Sequence, residues 1–232
     1  MKKKLVVAIL VIGVLAAALT GCSSLGTSTN EVANQNATSI GSTKQTSNSS
    51  TSTTTQLTGS QEKGILYMVE EEKLARDVYA YLYNLWGITT FSNIKDAEQT
   101  HMDQVLSLVD QYKLQAPATL DSVGVFSDPH LQELYNTLIN QGSQSVTDAL
   151  KVGALIEETD IIDLQNYSNA TESSSVKTVY SNLMNGSENH LRAFVSQLNS
   201  RNVSYTPVVL SQEAYNAIIN NTGSQVSSNG AH

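Results

Sequence analysis

The sequence predicts an all-α fold in which four long helices and one additional short helix surround a single core. Three observations lead there. From about residue 60 to residue 200, apolar residues recur at spacings of three and four rather than two. Capping and breaking residues punctuate that pattern at intervals suited to helices of ordinary length. Strand signals are confined to the short run Val208-Val209-Leu210.

The first helix lines up Ile65, Val69, Glu72, Ala75, Tyr79, Leu82 and Trp86 on one face, and Gly87 ends it. The second carries Ile94, Glu98, His101, Val105, Leu108 and Tyr112 on one stripe and stops before Pro117. Asp128-Pro129 starts the short helix, because an N-cap acid followed by proline at the first helical position satisfies free N–H groups and presets φ. Its apolar residues are Leu131, Leu134, Tyr135 and Leu138. The next helix opens on the box-like cap Ser145-x-x-Asp148 and runs through Leu150, Ala154, Glu157, Ile161 and Leu164. The last long helix, from about Glu172 to Asn199, aligns Val176, Tyr180, Leu183, Ser187, His190, Phe194 and Leu198. A further short helix is expected around Gln212 to Ile219.

The N-terminus reads as a targeting segment. Lys2, Lys3 and Lys4 precede an apolar run from Leu5 to Leu19, shorter than the roughly 20 residues of a stable membrane span. The run ends in Leu19-Thr20-Gly21-Cys22, which resembles the lipobox of prokaryotic lipoproteins. That resemblance implies a signal peptide over 1–21 and lipidation at Cys22, hence a chain exported and lipid-anchored to the outer face or periplasmic side of a cell membrane. Residues 22–60 are rich in Ser, Thr, Asn and Gln and contain no aromatic side chain. Such a stretch cannot bury enough apolar surface to offset ordering costs of about 1–2 kcal/mol per residue, so a disordered tether is expected. The helical domain is expected over 61–200, followed by a partly disordered extension over 201–232.

Formal net charge is −8, and loss of the three signal lysines takes it to −11. An acidic domain of this kind argues against nucleic acid as a partner. Cys22 is the single cysteine, which excludes intrachain disulfides and cysteine-ligated iron–sulfur sites. No phosphate-binding glycine loop, serine nucleophile elbow or zinc cysteine pattern is present.

Chemistry is instead suggested by ionisable residues within the apolar stripes. Glu72, Glu98 with His101, Glu157 and His190 each fall in phase with residues that should face the core. Two carboxylates about 4 Å apart repel by roughly 4 kcal/mol at an effective dielectric near 20, so a group of them requires protons, cations or metal. Glu98-x-x-His101 puts an oxygen and a nitrogen ligand on one helical face, the spacing used by helical bundles that hold carboxylate-bridged metal pairs. The competing reading makes Glu70-Glu71-Glu72 a solvated charge run with Arg76 as its partner. His130 is expected at an exposed helix start, and Asp160 and Asp163 are expected to face water.

Glu72-Lys73-Leu74-Ala75-Arg76-Asp77-Val78-Tyr79 and Ala97-Glu98-Gln99-Thr100-His101 resemble the first two metal-bearing helices of rubrerythrin. From Glu70 to about Phe194 the chain resembles an uncharacterised ferritin-like domain family of bacteria and archaea, with further matching stretches at Ala154 to Ile161 and Gly186 to Phe194. The resemblance implies a ferritin-like four-helix bundle. It also implies Glu72, Glu98, His101, Glu157 and His190 as ligands of iron or manganese, with Glu158 as the substitute for Glu157. Position 187, where rubrerythrin-like proteins have a glutamate, is serine here. The resemblance implies no established reaction; the expected function is a lipid-anchored metalloprotein reacting with oxygen or peroxide, with a redox or cell-envelope protein partner. The alternative is a non-catalytic envelope lipoprotein module on the same scaffold.

Overall fold

The computed structural model describes residues 56–221. The expected signal peptide, Cys22 and the tether up to residue 55 lie outside the described residues. Six helices follow in order: α1 (Gly59–Trp86), α2 (Thr89–Gln111), α3 (Pro129–Gly142), α4 (Val146–Asn169), α5 (Ser174–Asn199) and α6 (Gln212–Asn220). No strand occurs among the described residues, and none of their helices is long and apolar enough to cross a membrane.

Local chemistry sets the boundaries. Thr58 and Gln61 form a capping box at the start of α1, and Gly87 ends it at φ 65°, a left-handed conformation that suits a residue without Cβ. The Asp128 side chain accepts from the N–H groups of His130 and Leu131, with Pro129 at the first position of α3. Ser145, Ser173 and Ser211 cap α4, α5 and α6 in the same way.

The four long helices pack as a bundle in which α1 lies mainly on α2 and α4 mainly on α5. The pairs meet along α1 with α4 and α2 with α5, and α3 sits against α1 and α4. The aromatic trio Tyr79, Phe91 and Phe194 packs at ring separations of 5.3–6.0 Å near the middle of this core. Gly153 on α4 makes room for it, since a Cβ there would come within 2.5 Å of the Phe194 ring.

Two irregular segments are tied down by buried acids. The long connection between α2 and α3 is held by α1, where Glu70 accepts from Thr119 Oγ1 at 2.6 Å and from the N–H groups of Ser127 and Asp128 at 2.6 and 3.0 Å. Two turns further, Asp77 pairs with fully buried Lys73 at 2.8 Å and accepts from Gly124 N–H at 2.9 Å. Lys73 also donates to the Val125 carbonyl and lies 4.1 Å from the centre of the Phe126 ring. After α5, the chain returns along the bundle, and the N–H groups of Val208, Val209 and Leu210 donate to Glu158 at 2.8–2.9 Å. These residues therefore form no strand; their donors are used by a carboxylate instead of a sheet partner. Tyr205, Leu210, Tyr215 and Ile218 join the main core, so the packed unit extends past residue 200 to α6.

Candidate metal centre

Four helices bring Glu72, Glu98, His101, Glu157 and His190 into one buried cluster. Glu98 lies at its middle. Its Oε2 is 2.8 Å from His101 Nδ1, one helical turn further along α2. Its Oε1 is 2.9 Å from His190 Nδ1 on α5. Glu72 on α1 approaches the same His101 nitrogen at 3.3 Å, and Glu157 on α4 approaches the His190 nitrogen at 3.4 Å. Each oxygen of Glu98 thus faces one histidine–glutamate pair. The two imidazoles stack at 5.3 Å between ring centres.

Both Nδ1 atoms are buried and make no regular hydrogen bond, although carboxylate oxygens lie at 2.8–3.4 Å. Glu98 Oε1 and Glu72 Oε1 are likewise buried without partners. Buried polar atoms in native proteins are nearly always paired, and several such atoms facing one another fit a bound cation. Ligands about 2.1 Å from one ion and about 90–110° apart lie roughly 3.0–3.4 Å from each other. The observed nitrogen–oxygen separations are close to that range, and Glu98, His101 and His190 each offer a ligand atom within 4.8 Å of the others. The donor set of imidazole nitrogen and carboxylate oxygen suits first-row divalent metals such as iron and manganese.

Without metal, the cluster holds protons in its place. Burial alone would lower both histidines, but the facing carboxylates outweigh it. Glu72 and Glu98 raise His101 to about 11, and Glu157 and Glu98 raise His190 to about 10. Burial would raise Glu98, yet the two imidazoles beside it bring it down to about 2. Burial and the charge of Glu98 lift Glu157 to about 8, and burial together with Asp160 carries Glu72 well above the usual carboxylate range.

Surrounding residues shape the cluster. The Tyr79 hydroxyl donates to Glu157 Oε1 at 2.5 Å, fixing that carboxylate from below with the aromatic trio behind it. Gly186 on α5 lies against the His101 imidazole so closely that a Cβ would collide with Nε2. Exposure falls from 12 % at the His190 side chain and 8 % at His101 to 1–2 % at the three glutamates, so any approach to the cluster is from the histidine side and is narrow.

The remaining candidates divide. Glu158 is buried but points away from the cluster, its oxygens occupied by Tyr205 and the 208–210 backbone. His130 is exposed at the start of α3, and Glu188 lies 3.7 Å from Arg192 at the surface. The solvated-run reading of Glu70-Glu71-Glu72 fails, because all three are at most 4 % exposed and Arg76 pairs with Asp77 instead. Asp160, expected to face water, is 5 % exposed. Tyr79 was legible as a core aromatic; its contact with Glu157 was not.

A model of the "Uncharacterized protein domain (DUF2202)" matches residues 61–222. The chain belongs to this DUF2202 family. The uncharacterized protein MJ0754 of Methanocaldococcus jannaschii is 50% identical over 162 residues, covering 70% of this chain and 88% of that protein. The crystal structure of hypothetical protein MJ0754 from Methanococcus jannaschii superposes with a TM-score of 0.70 at 49% identity, over 71% of this chain and 94% of that one. The DUF2202 match takes in all five cluster residues and α6, in agreement with a packed unit that continues beyond residue 200.

Proposed function

We propose that this chain is a lipid-anchored, ferritin-like metalloprotein that holds two iron or manganese ions and reacts with oxygen or peroxide. The observation that carries the reading is the position of Glu98, whose two oxygens each meet a separate histidine–glutamate pair. A carboxylate so placed suits a bridge between two ions, with Glu72 and His101 on one side and Glu157 and His190 on the other. Glu98-x-x-His101 on one helix, single glutamates on two others and a histidine on the fourth support a ferritin-like reading, one carboxylate short of the usual set. Cys22 and the polar segment after it support an anchor and tether at the outer or periplasmic side of the membrane.

Bound there, iron or manganese would supply a change of oxidation state and polarisation of an oxidant. The chain's own residues restrict what reaches that position. The glutamates are almost wholly buried and the histidines barely exposed, which limits reactants to small molecules. Tyr79 holds a proton against Glu157 Oε1 and orients that carboxylate. Phe91 and Phe194 keep water from the far side of Tyr79.

The test is elemental analysis of the full chain purified without chelator, beside the Glu98→Ala/His101→Ala double variant. Near-stoichiometric iron or manganese, lost in the variant, is expected, together with consumption of oxygen or peroxide by the reduced, loaded protein. Absence of metal in both after anaerobic reconstitution would overturn the reading. Metal without any oxidant consumption would favour the non-catalytic envelope module, for which Ser187 in place of a glutamate is the supporting feature.

A further inference from the structure

Helical bundles that hold metal pairs commonly carry Glu-x-x-His on two of their helices. Here α2 has Glu98-x-x-His101, but α5 has Ser187-x-x-His190 and so lacks one carboxylate. The adjoining helix α4 carries a carboxylate that the usual pattern does not include. Asp160 lies three residues after Glu157, about one turn along the same helix, which puts both on neighbouring parts of one face. The Ser187 hydroxyl donates to Asp160 Oδ2, so the serine that replaces the glutamate is joined directly to this acid. Asp160 Oδ1 is buried and has no partner at all. Among the described residues Asp160 forms no ion pair with an arginine or lysine, and the charges of Glu98 and Asp163 oppose its ionisation while His101 favours it.

An acid buried 95 % with one orphaned oxygen and no ion-pair partner in contact is unfavourable in the protein alone. Two divalent ions change the balance. Glu72, Glu98 and Glu157 neutralise three of their four positive charges, the histidines being neutral when they ligate. A fourth carboxylate closes the difference.

We infer that Asp160 supplies to the metal pair the carboxylate missing from position 187, with Ser187 as the residue that positions it. In this arrangement the carboxylate comes from α4 instead of α5, and the Ser187 hydroxyl orients it. This rests on the metal reading above and adds a ligand to it.

The experiment is titration of Mn(II) into the full chain by calorimetry, with elemental analysis of the bound ion, for the wild type, Asp160→Asn, Ser187→Ala and the swap Asp160→Ser/Ser187→Glu. Asp160→Asn keeps shape and can still accept from Ser187, so circular dichroism and the chelated melting temperature should match the wild type. The wild type should bind two ions. Asp160→Asn should bind one with little change and weaken the other by more than about 10-fold. Ser187→Ala should weaken the same ion less, and the swap should regain it. Wild-type affinity for both ions in Asp160→Asn overturns the assignment, as does a swap that is folded but fails to regain the lost ion. A wild-type chain that binds no Mn(II) removes the metal reading itself, and the assignment with it.

Discussion

Loading the metal-free protein with Mn(II) should expel protons, and their number follows from the cluster. An imidazole can ligate only after losing its extra proton. With His101 at about 11 and His190 at about 10, both carry that proton at pH 7. Two ordinary histidines with pKa near 6.5 would together release roughly half a proton at pH 7. The cluster should release at least two, and more as Glu157, at about 8, ionises. Calorimetric titration in buffers of different ionisation enthalpy measures this directly. Release of less than one proton per chain would refute the protonated-histidine account. The same groups set the pH dependence of stability. Asp160, raised to about 7, and Glu157, raised to about 8, stay protonated in the native chain where the unfolded chain has already ionised. The native state therefore binds more protons from about pH 4 to 8, and the metal-free protein loses stability as pH rises through that window. The histidines act in the same direction, their contribution being complete below about 6.5 and lost through about 10 and 11. Glu98, held at about 2, works oppositely, giving stability above about 4.5 that is lost as pH falls toward 2.

Three substitutions separate the parts of the structure. Gly186→Ala should drive a methyl group into the His101 imidazole and weaken Mn(II) binding about 10–100-fold, while helix propensity leaves the metal-free melting temperature unchanged or higher; titration and a thermal melt check both. Glu158→Gln removes the charge that gathers three backbone N–H groups and should cost about 2–4 kcal/mol in urea unfolding, expose residues 203–220 to protease, and leave metal content unaltered. Tyr79→Phe leaves Glu157 Oε1 without its donor and should cost about 1–3 kcal/mol by the same measurement.

The helices were legible because their apolar stripes and caps are local signals. The phase of those stripes also brought Glu72, Glu98, His101, Glu157 and His190 to attention as one set. The acids that stripe phase does not place lie on the stretches of α1 and α4 that are packed on several sides. α1 is packed by α2, α3 and α4, and α4 by α1, α3 and α5. On such stretches an acid outside the main stripe is still buried, which is why Asp160, expected in water, lies in the core and the competing solvated run at Glu70 and Glu71 fails. The role of Glu158 depends on a segment some 50 residues further along the chain. No local periodicity reports a contact of that kind. The Ser187–Asp160 pairing was hidden for the same reason, as neither residue has a distinctive spacing until α4 and α5 are set side by side.

With two ions bound, Glu98 would be held in common by both, with His101 and Glu72 serving one and His190 and Glu157 the other. Electron paramagnetic resonance of the full chain at one and then two equivalents of Mn(II) tests it most directly. The hyperfine pattern of an isolated ion is expected to give way, at the second equivalent, to the spectrum of an exchange-coupled pair, and Glu98→Ala to abolish the coupling. Uptake that stops at one ion, or two ions whose spectra remain those of isolated Mn(II), would contradict it.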